Sequence, residues 1–253
     1  MTIPMTQLLK DAAARAGFHV VRNYQNPSHT LMGLRRLGFS TVLDVGANSG
    51  QFARWVRTQL PDAEIYCFEP TPRAFEDLRT WASTTTGVHA FQLALGESAG
   101  ELEMNVHDDH TTSSSLLATS ATCEELYPFT ASQSRLNVRI SRLDDHLASL
   151  PRLPRPEWLL KIDVQGFEMP VLLGAPLTLE QVRASIVEVS LDNLYVGQSG
   201  FAEIVALMAR AGLSYAGNFQ QIYGADGHVI SIDALFLREG PATRGAQTTS
   251  SEP

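Results

Sequence analysis

Apolar and polar positions change rhythm several times along this chain, and the changes mark its elements. Residues 41–45 form a short β-branched apolar run, residues 51–60 carry apolar side chains at helical spacing, and residues 64–69, 73–81 and 88–93 repeat the strand–helix–strand order. Such alternation predicts parallel strands joined by right-handed crossovers. Pro72 falls where the first turn of a helix tolerates it. From Gly100 to Leu143 the pattern becomes two strand-like pieces, 101–106 and 135–143, around a polar stretch from His107 to Ser134. That insertion reads as a hairpin arm with a loop or lid and no core of its own.

After a proline-punctuated linker over 150–156, residues 158–163 and 185–189 are near-continuous apolar runs, as central parallel strands are. A helix is predicted over 201–211. Beyond it, 213–219 and 229–237 flank the turn Gly224-Ala225-Asp226-Gly227 and predict an antiparallel pair at the end of the sheet. Ahead of the sheet, Leu8, Leu9, Ala12, Ala13 and Phe18 recur at helical spacing, and a second short helix is predicted over 31–37. The expected organisation is an N-terminal helical segment (1–38), one α/β domain (39–239) with its insertion (100–143), and a polar, disordered tail (240–253).

Composition narrows the partners. With 253 residues, 44% hydrophobic and 18% charged, the chain can bury the core of one large α/β domain. A formal net charge of −8 argues against a standing grip on nucleic acid or an anionic membrane, since both need a basic face. A small-molecule or oligosaccharide acceptor, neutral or cationic, is the expected partner; oligomeric state, a homodimer included, is left open. Of nineteen basic residues only Lys10 and Lys161 are lysines. Cys67, in a predicted buried strand, and Cys123, in a polar loop, lack metal or redox spacing and read as free thiols in a reducing cytoplasm. Residues 1–18 carry Lys10, Asp11 and Arg15 without a long apolar core, so no signal peptide is expected, and no run reaches transmembrane length.

The chemistry concentrates at strand ends. Asp44-Val45-Gly46-Ala47-Asn48-Ser49-Gly50 breaks the first strand into a glycine turn that opens a helix, the arrangement by which an α/β sheet meets a nucleotide-like ligand. Gly46 and Gly50 permit positive φ and close backbone approach. Glu69 closes the second strand, about where the dinucleotide fingerprint places a ribose-binding acid. The pattern Asp-x-Gly-x-x-x-Gly lacks the middle glycine of the pyrophosphate turn, so a nucleoside without pyrophosphate, such as S-adenosylmethionine, fits better. Asp44 either caps the helix or contacts the ligand's amino-acid part, and Asn48 belongs to the same turn. Ala94, after the third strand, leaves room for an adenine or simply packs in the core.

Asp163 and Glu188 end two later strands, with Asp192 a short turn further on. Three such carboxylates are candidates for Mg²⁺, which would lower the pKa of an acceptor hydroxyl; the alternative is that they cap helices or bind the substrate directly. Glu168 complements the positive end of the helix it begins. Of the loop histidines His107, His110 and His146, His110 is the candidate for taking the acceptor's proton.

On Val42-Leu43-Asp44-Val45-Gly46-Ala47-Asn48-Ser49-Gly50, Phe68-Glu69-Pro70, Leu143-Asp144-Asp145, the run from Lys161 to Glu168, and Val187-Glu188-Val189-Ser190, the chain resembles the FkbM family of S-adenosylmethionine-dependent methyltransferases. The resemblance covers about residues 40–238 and extends to mycobacterial enzymes that methylate mannose polysaccharides. It implies a class I methyltransferase (Rossmann-like) α/β fold with seven strands, the last antiparallel, and O-methylation of a sugar, glycoside or natural-product hydroxyl such as a polyketide's. Gln165 stands where that family commonly has Glu. A nicotinamide-dependent oxidoreductase and a non-catalytic S-adenosylmethionine-binding module remain the rival readings.

Overall fold

A computed structural model of the chain describes residues 13, 15, 37–107, 113–152 and 154–238. The expected leading helices, the tail and His110 lie outside the described residues. Strand β1 (Thr41–Val45) is buried at every position and leads through the glycine turn into helix α1 (Gln51–Gln59). Then follow β2 (Glu64–Phe68), α2 (Pro72–Thr84) with Pro72 in its first turn, and β3 (Val88–Phe91). The insertion supplies β4 (Ala94–Leu95), β5 (Gly100–Val106), α3 (Ala121–Leu126) and β6 (Ser134–Ser141). The chain returns through α4 (Leu143–Ser149), β7 (Trp158–Ile162), α5 (Glu168–Leu173), α6 (Pro176–Gln181) and β8 (Val182–Ser190), and ends in α7 (Phe201–Arg210), β9 (Leu213–Tyr223) and β10 (Val229–Arg238).

The main sheet has the order β3-β2-β1-β7-β8-β10-β9. Its first five members run parallel, and β10 is antiparallel to both β8 and β9. This is the seven-stranded sheet with an antiparallel last strand that the resemblance implied. Alternation along the strands feeds two apolar layers: Leu43, Leu160 and Val187 face one, Val42, Leu159 and Ile186 the other. Helix α1 seals the second layer with Ala53 and Val56, and α7 seals the first with Ile204, Leu207 and Met208. With both faces covered, polar chemistry is confined to the rim where β1, β2, β7 and β8 end.

The insertion departs from expectation. It does have a core: β4, β6 and β5 form a second sheet that buries Ala94, Met104, Val106, Val138 and Ile140. Within the polar stretch between β5 and β6, Ala121–Leu126 folds as α3, whose first turn is capped by the Ser120 hydroxyl accepting from the Cys123 amide at 3.1 Å. Cys123 is therefore buried, packed with Leu194, Tyr195 and Ile230, rather than standing in a polar loop. Leu143, expected to end a strand, begins α4. There Asp144 accepts from the Leu177 and Thr178 amides at 2.9 and 2.8 Å and so caps α6, which the sequence pattern did not reveal.

Candidate functional site

The turn after β1 is held from inside. Gly46 (φ 80°) and Gly50 (φ 87°) adopt the left-handed conformation expected of them, and Asn48 joins them at φ 48°. The amides of Gly46 and Ala47 donate to the Phe68 carbonyl at 3.0 Å each, Asn48 donates to Glu69 Oε2 at 2.9 Å, Ser49 to Asn48 Oδ1 at 2.8 Å, and Gly50 to the Ala47 carbonyl at 2.8 Å. Every amide from Gly46 to Gly50 is thus spent on the protein. The glycines serve packing more than ligand approach: a Cβ on Gly46 would strike the Asp163 carbonyl, and one on Gly50 would press on Leu78.

A cleft of about 260 Å³ opens beside this turn, walled by Asp44, Glu69, Leu93, Ala94, Asp163 and Phe167 among others. Glu69 is buried and fixed from three sides: Oε1 accepts from the Thr71 amide at 2.8 Å and hydroxyl at 2.5 Å, and Oε2 from Asn48. Burial raises its pKa, against the pull of those donors. Asp44 is 1% exposed, and its Oδ2 has no hydrogen-bond partner. Burial pushes its pKa up to about 7, with the Lys161 charge opposing. The insertion adds Met104, Ser114 and Leu116 to the wall.

On the far side of the cleft lies a charged network that sequence reasoning half saw. Lys161 Nζ, almost wholly buried, bonds Asp163 Oδ2 at 3.0 Å and Asp233 Oδ1 at 3.2 Å. Burial works against its charge, but the two carboxylates outweigh burial and raise its pKa. Gln165 (φ 56°) donates from Nε2 to Asp163 Oδ1 at 2.9 Å and to Glu188 Oε2 at 2.6 Å, while its Oε1 accepts from the Tyr195 hydroxyl at 2.7 Å. Burial would raise Asp163, yet Lys161 and these bonds hold it below the usual carboxylate range. Burial and the neighbouring Asp163 push Glu188 well above that range.

The expected Mg²⁺ site is not assembled. Asp163 and Glu188 come together, but Asp192 is directed to His228 Nε2 at 2.9 Å, and no group of three His, Cys, Asp or Glu side chains suited to a metal occurs among the described residues. The cation beside Asp163 is Lys161, and the Gln165 amide bridges the pair. This donor set does not fit a hard divalent ion, whose oxygen ligands must be free to turn toward it. The signal for Lys161 was present in the sequence: two residues before Asp163, it continues the same strand face.

Other expected residues sit as follows. Glu168 is buried at the start of α5 and accepts from the Val164 and Gly166 amides at 3.1 Å; burial pushes its pKa up to about 7. His107 is not solvent-facing but buried, its Nδ1 3.0 Å from the Ser132 carbonyl. His146 is wedged edge-on against Phe68 and Phe91, and burial lowers its pKa. Asp233 and Tyr195, which bind Lys161 and Gln165, drew no attention as sequence because their partners lie far away along the chain.

A family model for the methyltransferase FkbM domain matches residues 44–215, more than half of the chain. Over 187 residues the chain is 27% identical to Methyltransferase 1 of Beauveria bassiana, covering 70% of this chain and 73% of that one. Over 175 residues it is 29% identical to the 2-O-methyltransferase NoeI of Sinorhizobium fredii, covering 66% and 70%. A solved structure of a putative O-methyltransferase from Klebsiella pneumoniae aligns with 94% of this chain and 92% of its own at 15% identity and a TM-score of 0.48.

Proposed function

This chain belongs to the FkbM methyltransferase family, and from that premise we propose that it uses S-adenosylmethionine to O-methylate a hydroxyl of a sugar or glycoside. The observation that carries the cofactor assignment is the pairing of Glu69 and the unpartnered Asp44 Oδ2 in a cleft whose turn has no amide left to give. A dinucleotide needs those amides for its pyrophosphate. A nucleoside carrying an amino-acid chain does not. The nicotinamide reading loses its main support by the same count.

Residue chemistry fits the group. After its three bonds Glu69 keeps one acceptor site, on Oε2, and would take a ribose hydroxyl there; Ala94 and Leu93 would flank the adenine, and Asp44 would take the amino group. When bound, S-adenosylmethionine supplies an electrophilic methyl on a sulfonium. The protein's part is to align an acceptor oxygen with that methyl, a contribution that lies mainly in fixed geometry. Asp163, whose side chain is 36% exposed, is the carboxylate available for the hydroxyl's proton. It is a weak base, which suffices because an oxygen gaining a methyl becomes strongly acidic as the bond forms. Lys161 and Gln165 orient Asp163, and no step runs through a metal.

Calorimetry with S-adenosylhomocysteine tests the cofactor reading: binding to the intact chain, weakened at least about tenfold in Glu69→Ala, is expected. Absence of binding, or unchanged binding in the variant, overturns it. Labelled cofactor with mono- and disaccharides and with polyketide alcohols then decides the acceptor class.

A further inference from the structure

We infer that the groove between α1 and the end of β9 is the acceptor subsite, and that it receives a neutral pyranoside ring laid against Trp55 and Phe219. This rests on the cofactor cleft proposed above. The groove is a separate cavity of about 790 Å³, within the range of roughly 300–1,000 Å³ usual for small-molecule sites. It shares Phe52, Lys161 and Asp163 with the cofactor cleft. Two molecules, one in each cavity, would therefore meet beside Asp163, the carboxylate proposed above to take the acceptor's proton.

The lining states the ligand's chemistry. Trp55 and Phe219 stand 5.7 Å apart at 50°, and Phe52 extends the aromatic surface at 5.8 Å from Trp55. Tilted rings of this kind accept the weakly polarised C–H face of a pyranose. Beside them β9 lines the groove with the uncharged polar side chains of Asn218, Gln221 and Tyr223: Asn218 Oδ1 accepts from the Tyr215 hydroxyl at 2.6 Å, its amide donates to Gln221 Oε1, and Gln221 Nε2 donates to the Tyr223 hydroxyl. Each amide is oriented by its neighbour and retains further donor or acceptor capacity, so the array is set in advance for hydroxyls.

Charge excludes the activated sugars. Among the described residues the groove is lined by no arginine, and Lys161 is committed to Asp163 and Asp233. A diphosphate or a sugar carboxylate would meet two acids and no available cation. The acceptor is accordingly a free or glycosidic sugar rather than a nucleotide-linked one. From the His107–Ser134 stretch, Ser114 and Leu116 wall the neighbouring cofactor cleft.

The full chain, labelled with ¹⁵N, gives one indole signal for each of its three tryptophans, and Trp55→Phe assigns that of Trp55. Methyl mannopyranoside, methyl glucopyranoside and UDP-glucose are titrated with and without S-adenosylhomocysteine. The expected result is movement of the Trp55 signal with at least one methyl glycoside, none with UDP-glucose, a stationary Trp158 signal, and affinity lowered about tenfold in Gln221→Ala and Phe219→Leu while S-adenosylhomocysteine affinity is unchanged. A Trp55 signal unmoved by both glycosides, or UDP-glucose binding as well as they do, overturns the subsite. Failure of S-adenosylhomocysteine to bind overturns the cofactor reading alone, since the titration without it still decides the groove.

Discussion

Gly46 is packed so closely on Asp163 that a Cβ at the glycine would stand 1.8 Å from the Asp163 carbonyl oxygen. The turn beside the proposed cofactor cleft and the segment that carries the proposed proton acceptor are thereby fixed against each other. Gly197 has nearly the same φ, 83° against 80°, but open space around it. The pair separates two costs. Gly197→Ala should lose about 1 kcal/mol, the penalty of a left-handed alanine, whereas Gly46→Ala adds a backbone clash and should lose about 3 kcal/mol or more. Urea denaturation reads both, and equal losses would deny the contact.

Asp44 makes stability depend on pH in a stated direction. Its folded-state pKa of about 7 lies above the unfolded value, so between the two the native state holds a proton that the unfolded chain has released. The associated stability is complete below the unfolded pKa, near 4, and is lost as pH rises to about 7, by up to roughly 4 kcal/mol. Glu168, also raised to about 7, adds to the same trend. In Asp44→Asn the loss between pH 5 and 8 should shrink, so that the variant melts above the parent at pH 8. On the cofactor reading proposed above, S-adenosylhomocysteine would bring an ammonium to the unpartnered Oδ2 and return Asp44 to its charged form. The calorimetric heat at pH 6 should therefore vary with the buffer's ionisation enthalpy in the parent, and much less in the variant.

Lys161 is the hub of the acidic rim. Lys161→Met leaves Asp163 and Asp233 without their shared cation and should destabilise the fold by about 3–5 kcal/mol. The double variant Lys161→Met/Asp233→Asn should regain part of that loss, because one buried charge goes with its partner. Activity behaves differently. With Lys161 absent, Asp163 loses the influence that holds its pKa down, so the alkaline-rising limb of kcat in the double variant should move to higher pH. An unshifted limb would confine Lys161 to a structural role.

How much of this was legible depended on whether a residue's partners were near in sequence. The bounds of β1 match expectation because five residues buried on both faces admit no other reading. Glu69 lines the same cleft as Asp44 and the glycine turn because strand, turn and helix follow one another within a single βαβ unit. The core of the insertion was hidden: only Met104 and Val106 of β5 are buried, and Ala94, which completes their cluster, comes from a strand of two residues. Asp163 and Glu188 were found, but their company was misread. The bond from Lys161 to Asp233 spans 72 positions, and the Gln165 bridge requires a left-handed residue that no propensity announces. Carboxylates without visible partners look like metal ligands in a sequence; in the fold, an ammonium and an amide meet them.

That amide offers the sharpest test of the rim. Gln165 donates to Asp163 and Glu188 at once, which a carboxylate cannot do. Gln165→Glu would replace two hydrogen bonds with repulsion among three clustered acids, and should lower the melting temperature at pH 8 more than at pH 5, where the added group is partly protonated. The same change supplies the third oxygen donor that the Mg²⁺ expectation lacked. Millimolar MgCl₂ should then raise the melting temperature of Gln165→Glu by several degrees through preferential binding to the folded state, leave the parent unmoved, and be reversed by chelator. The parent's methyl transfer should proceed undiminished in that chelator. A parent whose melting temperature rises with MgCl₂ as much as the variant's would show that the two carboxylates recruit a cation despite Lys161, and the metal-free course of the reaction would have to be abandoned.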